Sequence, residues 1–81
     1  MENRMNQKQR NSLNALIGKL EEIKSEIETA QSEEQDKFDN LSEGLQQAER
    51  GQAMEQAAND LEEVVSALDE AISKLSDVVQ S

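Results

Sequence analysis

The sequence holds no cysteine, histidine, proline, tryptophan or tyrosine, and Phe38 is its one aromatic residue. Without cysteine there is no disulfide and no thiol chemistry. With histidine missing as well, the usual zinc ligand sets and imidazole general bases are excluded by inventory. The lack of Trp and Tyr removes the base-stacking platforms, aromatic cages and aromatic anchors on which many nucleic-acid, ammonium and protein interfaces depend. What apolar content remains is Leu, Ile, Val, Ala and Met, the palette of a helical bundle.

Eighty-one residues make one small domain. A domain of that size buries little apolar surface and is robust only with staples or self-association. No staple is on offer, so self-association is expected.

Charge is strongly acidic, with eighteen Asp and Glu against eight Lys and Arg, and it is unevenly spread. Residues 1–20 carry Arg4, Lys8, Arg10 and Lys19 against Glu2, a net of +3, whereas residues 21–81 carry four cations against seventeen carboxylates, a net of −13. Such a body repels nucleic acid and anionic membranes. No apolar run reaches the length of a membrane span, and no apolar signal core follows the N-terminal cations. The expected location is the cytoplasm.

From Leu13 apolar residues recur at Leu16, Leu20, Ile23, Ile27 and Ala30, alternating steps of three and four, which is a heptad seam. A more regular seam runs Met54, Ala57, Leu61, Val64, Leu68, Ala71, Leu75 and Val78. Between them, residues 40–51 hold two of the three glycines and two N-cap candidates, Asn40 and Ser42. The chain is therefore predicted to be all-α and a single domain over 1–81: an antiparallel helical hairpin with helices at 6–40 and 51–79 and a turn at 41–50. Phe38, Leu41 and Leu45 are expected to cap the open end of the core. Val65, Ile72 and Val79 lie beside the second seam, and Ile17 lies beside the first, so the apolar stripe is wider than one partner helix covers. These four are the expected self-association residues of a four-helix bundle.

Chemistry-bearing patterns are few. The pairs Glu21-Glu22, Glu33-Glu34 and Glu62-Glu63 read as solvated helix faces, because di-metal bundles require Glu-x-x-His on the inward face. Oxygen ligands around Gly44 miss the alternation of a calcium loop. Neither a metal nor an organic cofactor is expected. With no nucleophile beside a base, neither is catalysis. The basic, amide-rich segment 3–11 places Arg4, Lys8 and Arg10 as candidate anion ligands; the favoured reading is that these cations pair with the acidic second helix. Phe38, Leu41, Leu45 and Arg50 are the candidate partner-binding residues at the turn.

The runs EEQDKFDNLSEGLQ at residues 33–46 and ERGQAME at 49–55, with NQKQR at 6–10, resemble a group of short acidic helical proteins of unassigned function from phages and prophages of Gram-positive bacteria. The resemblance covers nearly the whole chain. Where such proteins often have proline after the position of Leu41, this chain has Ser42, which leaves its turn less fixed. The resemblance implies a small accessory phage protein acting inside a bacterial host cell. The expected function is a non-enzymatic adaptor or inhibitor of a partner protein, possibilities including counter-defence and nucleic-acid mimicry by the carboxylates. Two other classes stay open: an oligomeric sponge holding anionic nucleotides on the basic N-terminal segment, and a structural or assembly protein of the virion.

Overall fold

The computed structural model describes residues 5–80 and is all-helical among them. Helix α1 spans Gln7–Asp39, α2 spans Glu43–Gln47 and α3 spans Glu49–Gln80. Helix α1 begins with a capping box: the Gln9 amide donates to Asn6 Oδ1 at 2.8 Å, and the Gln9 side chain accepts from the Asn6 amide at 3.2 Å. Two of the helix's orphan donors are satisfied this way. It ends at Asn40, whose N–H reaches the Asp36 carbonyl at 3.0 Å. Ser42 then caps α2 through its hydroxyl, which accepts from the Leu45 amide at 3.4 Å. A single extended residue, Ala48, separates α2 from α3. The second long helix thus starts at Glu49, two residues before the expected start.

No described residue has a positive φ, so the glycines of the turn are not there to supply a left-handed conformation. Gly51 has another task. It is buried, and the backbone of α2 lies directly on it. Gln46 fastens the other side of α2, its side-chain amide donating to the Phe38 carbonyl at 3.1 Å.

Helices α1 and α3 pack along their lengths. Near the start of α1, the Arg10 guanidinium donates to the Val79 carbonyl at 2.9 Å, and further along Lys24 meets Asp69 at 2.5 Å. On α3 every residue of the series Gly51, Met54, Ala58, Leu61, Val65, Leu68, Ile72, Leu75 and Val79 is buried or half-buried. On α1 the matching series is Leu13, Ile17, Leu20, Lys24, Ile27, Gln31, Glu34 and Phe38. Both keep the heptad spacing and part from the expected seams at alternate positions, although Ala30 and Ala57 of those seams are half-buried as well. Ile17 and Lys24 replace Leu16 and Ile23, while Val65, Ile72 and Val79 replace Val64, Ala71 and Val78. A one-residue step turns the buried stripe by about 100° at those positions. The shift brings Phe38 into the α1 stripe, a residue that lay off the expected seam.

The resulting core is thin. Ala58 is the one fully buried apolar side chain among the described residues. No described helix is long and apolar enough to cross a membrane.

Gly18, on α1, has open space where a Cβ would sit. Gly18→Ala should therefore raise stability by about 0.5–1 kcal/mol through helix propensity alone. Urea unfolding followed by circular dichroism would measure it.

Candidate functional site

Three surfaces carry the residues singled out in the sequence. At the turn, Leu41, Leu45, Arg50, Gly51 and Met54 line an apolar cleft of about 240 Å³. The fold thus brings together three of the four candidate partner-binding residues. Phe38 does not line the cleft; it sits half-buried at the end of α1, and its carbonyl accepts from Gln46. Leu45 does not cap the core as expected, since 57% of it is exposed. The five-residue α2 is held by its backbone and by Gln46, which leaves the Leu45 side chain on the outside. Gly51 and Met54 were not anticipated as cleft residues, although both belong to the α3 heptad series and that register was the available signal.

The N-terminal cations separate. Arg4 lies outside the described residues. Lys8 is exposed on the first turn of α1. Arg10 is half-buried and donates from Nε to the Met5 carbonyl at 3.3 Å as well as to Val79. Its guanidinium therefore serves the Val79 carbonyl at the end of α3, where a helix has unsatisfied acceptors and a negative dipole end. This use accounts for Arg10 as a clamp between the helices and takes it away from an anion pocket. Among the described residues no group of acidic side chains is arranged to hold a metal.

The expected self-association residues also occupy a different place. Ile17, Val65, Ile72 and Val79 are half-buried on the stripe between α1 and α3, not on an outer surface. The physical reason is the one-residue rotation of both seams. Besides Leu45, the large apolar residues left exposed among the described residues are Leu16 at 47%, Ile23 at 45%, Val64 at 42% and Val78 at 41%. On α1 the contrast between Ile23 and Lys24 hides this, whereas on α3 the valine pairs are equal and Ile72 is more apolar than Ala71, so the α3 register could have been read from the sequence.

Polar features complete the picture. One open strip of α3, formed by Gln56, Asn59, Glu62, Glu63, Ser66, Ala67 and Glu70, carries three carboxylates, and at its end Lys74 meets Glu70 at 3.6 Å. Lys24 stands on the buried stripe with about a quarter of its side chain exposed, and the hydrogen bond to Asp69 holds its ammonium above its ordinary value of 10.5. A polar residue at a seam position fixes register between helices. Because the folded-state pKa is raised, the pair's contribution is fully present below pH 10.5 and is lost as pH rises through the higher folded value. The difference in melting temperature between the parent and Lys24→Gln should therefore hold constant from pH 7 to 10 and shrink above about 10.5.

No protein-family model matches the chain, and neither a curated protein nor a solved structure matches it.

Proposed function

We propose that this protein is a non-enzymatic binding module: an antiparallel helical hairpin that pairs with a second copy in a four-helix bundle and offers its acidic exterior to the basic surface of a partner protein. The contacts Arg10–Val79 and Lys24–Asp69 support the antiparallel arrangement, because the residue number on α3 falls as that on α1 rises. The thin core supports self-association.

The observation that carries the binding role is the strip at Glu62, Glu63 and Glu70, an exposed row of three carboxylates in which Lys74 stands 3.6 Å from Glu70 and leaves the row net acidic. Rows of one sign steer a partner of the opposite sign and set its specificity. The phage-like runs at 6–10, 33–46 and 49–55 support a setting inside a bacterial host cell, where the protein acts as an adaptor or inhibitor.

The test is retention of host proteins on the immobilised chain. Basic proteins should be held at low salt, released as salt rises, and lost when Glu62, Glu63 and Glu70 are all changed to Gln. Retention that ignores both salt and the triple change would contradict the acidic strip as the binding surface.

A further inference from the structure

The two faces of the helix pair are unlike. Resting on the antiparallel reading above, α1 and α3 are related by a local twofold axis normal to their common plane. Such an axis keeps equivalent positions on one side. The stripe between the helices is bounded on α1 by Leu13, Leu20 and Ile27 and on α3 by Leu61, Leu68 and Leu75. Leu16 and Ile23 lie just beyond the first boundary, and Val64, Ala71 and Val78 lie just beyond the second, so all five fall on the same side of the pair. The opposite side presents Asn14, Glu21 and Glu28 from α1 and Glu55, Glu62 and Asp69 from α3. One side is apolar and the other is charged.

We propose that a second copy of this chain covers the apolar side, in an isologous dimer with the two turns at opposite ends. Four observations select that occupant and that orientation. Among its described residues the chain alone fully buries one apolar side chain, Ala58, so it needs apolar cover. An identical face supplies cover without burying a charge, because the exposed central positions Leu16, Ile23, Val64, Ala71 and Val78 are all apolar. The pair is 18 Å across. With a helix length of about 48 Å, its face is on the order of 800 Å², the share one partner contributes to a standard stable interface.

Orientation follows from the rims. The outer edge of the face carries Lys19, Glu26 and Glu33 on α1 and Asp60, Ala67 and Lys74 on α3. The contacts of Arg10 with Val79 and Lys24 with Asp69 put Leu20 level with Ala71. With both turns at one end, α1 lies over α3 of the second copy, setting Lys19 against Lys74 and Glu33 against Asp60. With the turns at opposite ends, α1 lies over α1, Lys19 approaches Glu26 of the second copy, and Lys74 faces Ala67. The second arrangement replaces two like-charge contacts with one attractive contact and one neutral contact. Its twofold axis, midway between Lys19 and Glu26, passes between Glu22 and Ile23 on α1 and close to Ala71 on α3.

The chain has no cysteine, so an introduced one reports on itself alone. Under mild oxidation Ala71→Cys should give a covalent dimer in near-complete yield, while Glu62→Cys on the charged side should not. In sedimentation the parent should run at twice its chain mass, and Ile23→Asp combined with Val64→Asp should run at a single chain mass with its helical spectrum retained. A parent dimer in which Ala71→Cys stays unlinked would overturn the orientation. A double variant that keeps the parent mass would overturn the choice of face, and a parent of single chain mass would overturn cover by a second copy. None of these results bears on salt-dependent retention by the acidic strip, which is read separately.

Discussion

Gly51→Ala is expected to destabilise the fold by about 1–3 kcal/mol, although the same change in an open helix position stabilises by up to about 1 kcal/mol. A Cβ built on Gly51 would lie 2.3 Å from the Leu45 carbonyl oxygen, 2.6 Å from that of Gln46 and 2.8 Å from Gln46 Cα. All three are backbone atoms, so no flexible side chain can swing aside. Either α2 moves off α3 or α3 bends. Movement of α2 would also open the Leu41, Leu45 and Met54 cleft and strain the Gln46 link to Phe38. Urea unfolding gives the sign, and amide exchange gives the location, with protection expected to fall at residues 42–48 before it falls in the middle of α1. A Gly51→Ala protein as stable as the parent would mean that α2 does not rest on this residue. Gly18→Ala is the matched comparison, since the two changes are chemically identical and only the surroundings differ.

Leu68→Ala carries the second large effect. Leu68 lies on the buried stripe of α3 at about the level of Lys24, and removing its side chain should cost about 2–5 kcal/mol, toward the lower end because the residue is only half-buried. A two-helix layer with so little fully buried surface has small reserves, and small domains are marginal to begin with. The variant should lose its cooperative transition or melt far below the parent. Leu20→Ala, on the facing stripe of α1, should behave alike. A Leu68→Ala protein that melts with the parent would place Leu68 outside the contact between the helices.

These two residues also mark what could be read from the chain before its structure. The three-four spacing from Leu13 to Ala30 and from Met54 to Val78 identifies two long helices, and Ser42 and the surrounding glycines identify where they are interrupted. Leu20 and Leu68 sit at positions shared by the expected and observed seams, so either reading buries them. On α3 the alternate positions were legible, because Ile72 is more apolar than Ala71; on α1 they were not. Leu16 and Ile23 are more apolar than Ile17 and Lys24, and a ranking by hydrophobicity chooses the first pair. The observed stripe takes the second pair, along with Phe38, because Lys24 can leave its ammonium at the edge and meet Asp69, a partner 45 positions away. Nothing local to Lys24 announces that partner.

The same limit governs the functional surfaces. Arg10 looks like one of several N-terminal cations until the end of α3 is brought against it. Gly51 looks like a turn residue, yet its φ is ordinary and its requirement is a close approach from α2. The acidic strip was legible as composition, though not as a row, because Glu62, Glu63 and Glu70 share a surface only through the helical repeat.

All of these conclusions depend on α1 and α3 folding back on one another, and a distance within one chain tests that directly. Spin labels at Ser12 and Asp77, both exposed, in labelled chains diluted with unlabelled protein, can be read by pulsed dipolar spectroscopy. Helices packed side by side put the two labels about 20 Å apart, given axes about 10 Å apart and the reach of the labels. A distribution centred there is the predicted result. Helices that run on without turning back would separate the same sites by about 95 Å, and a distribution with no population below about 40 Å would contradict the account.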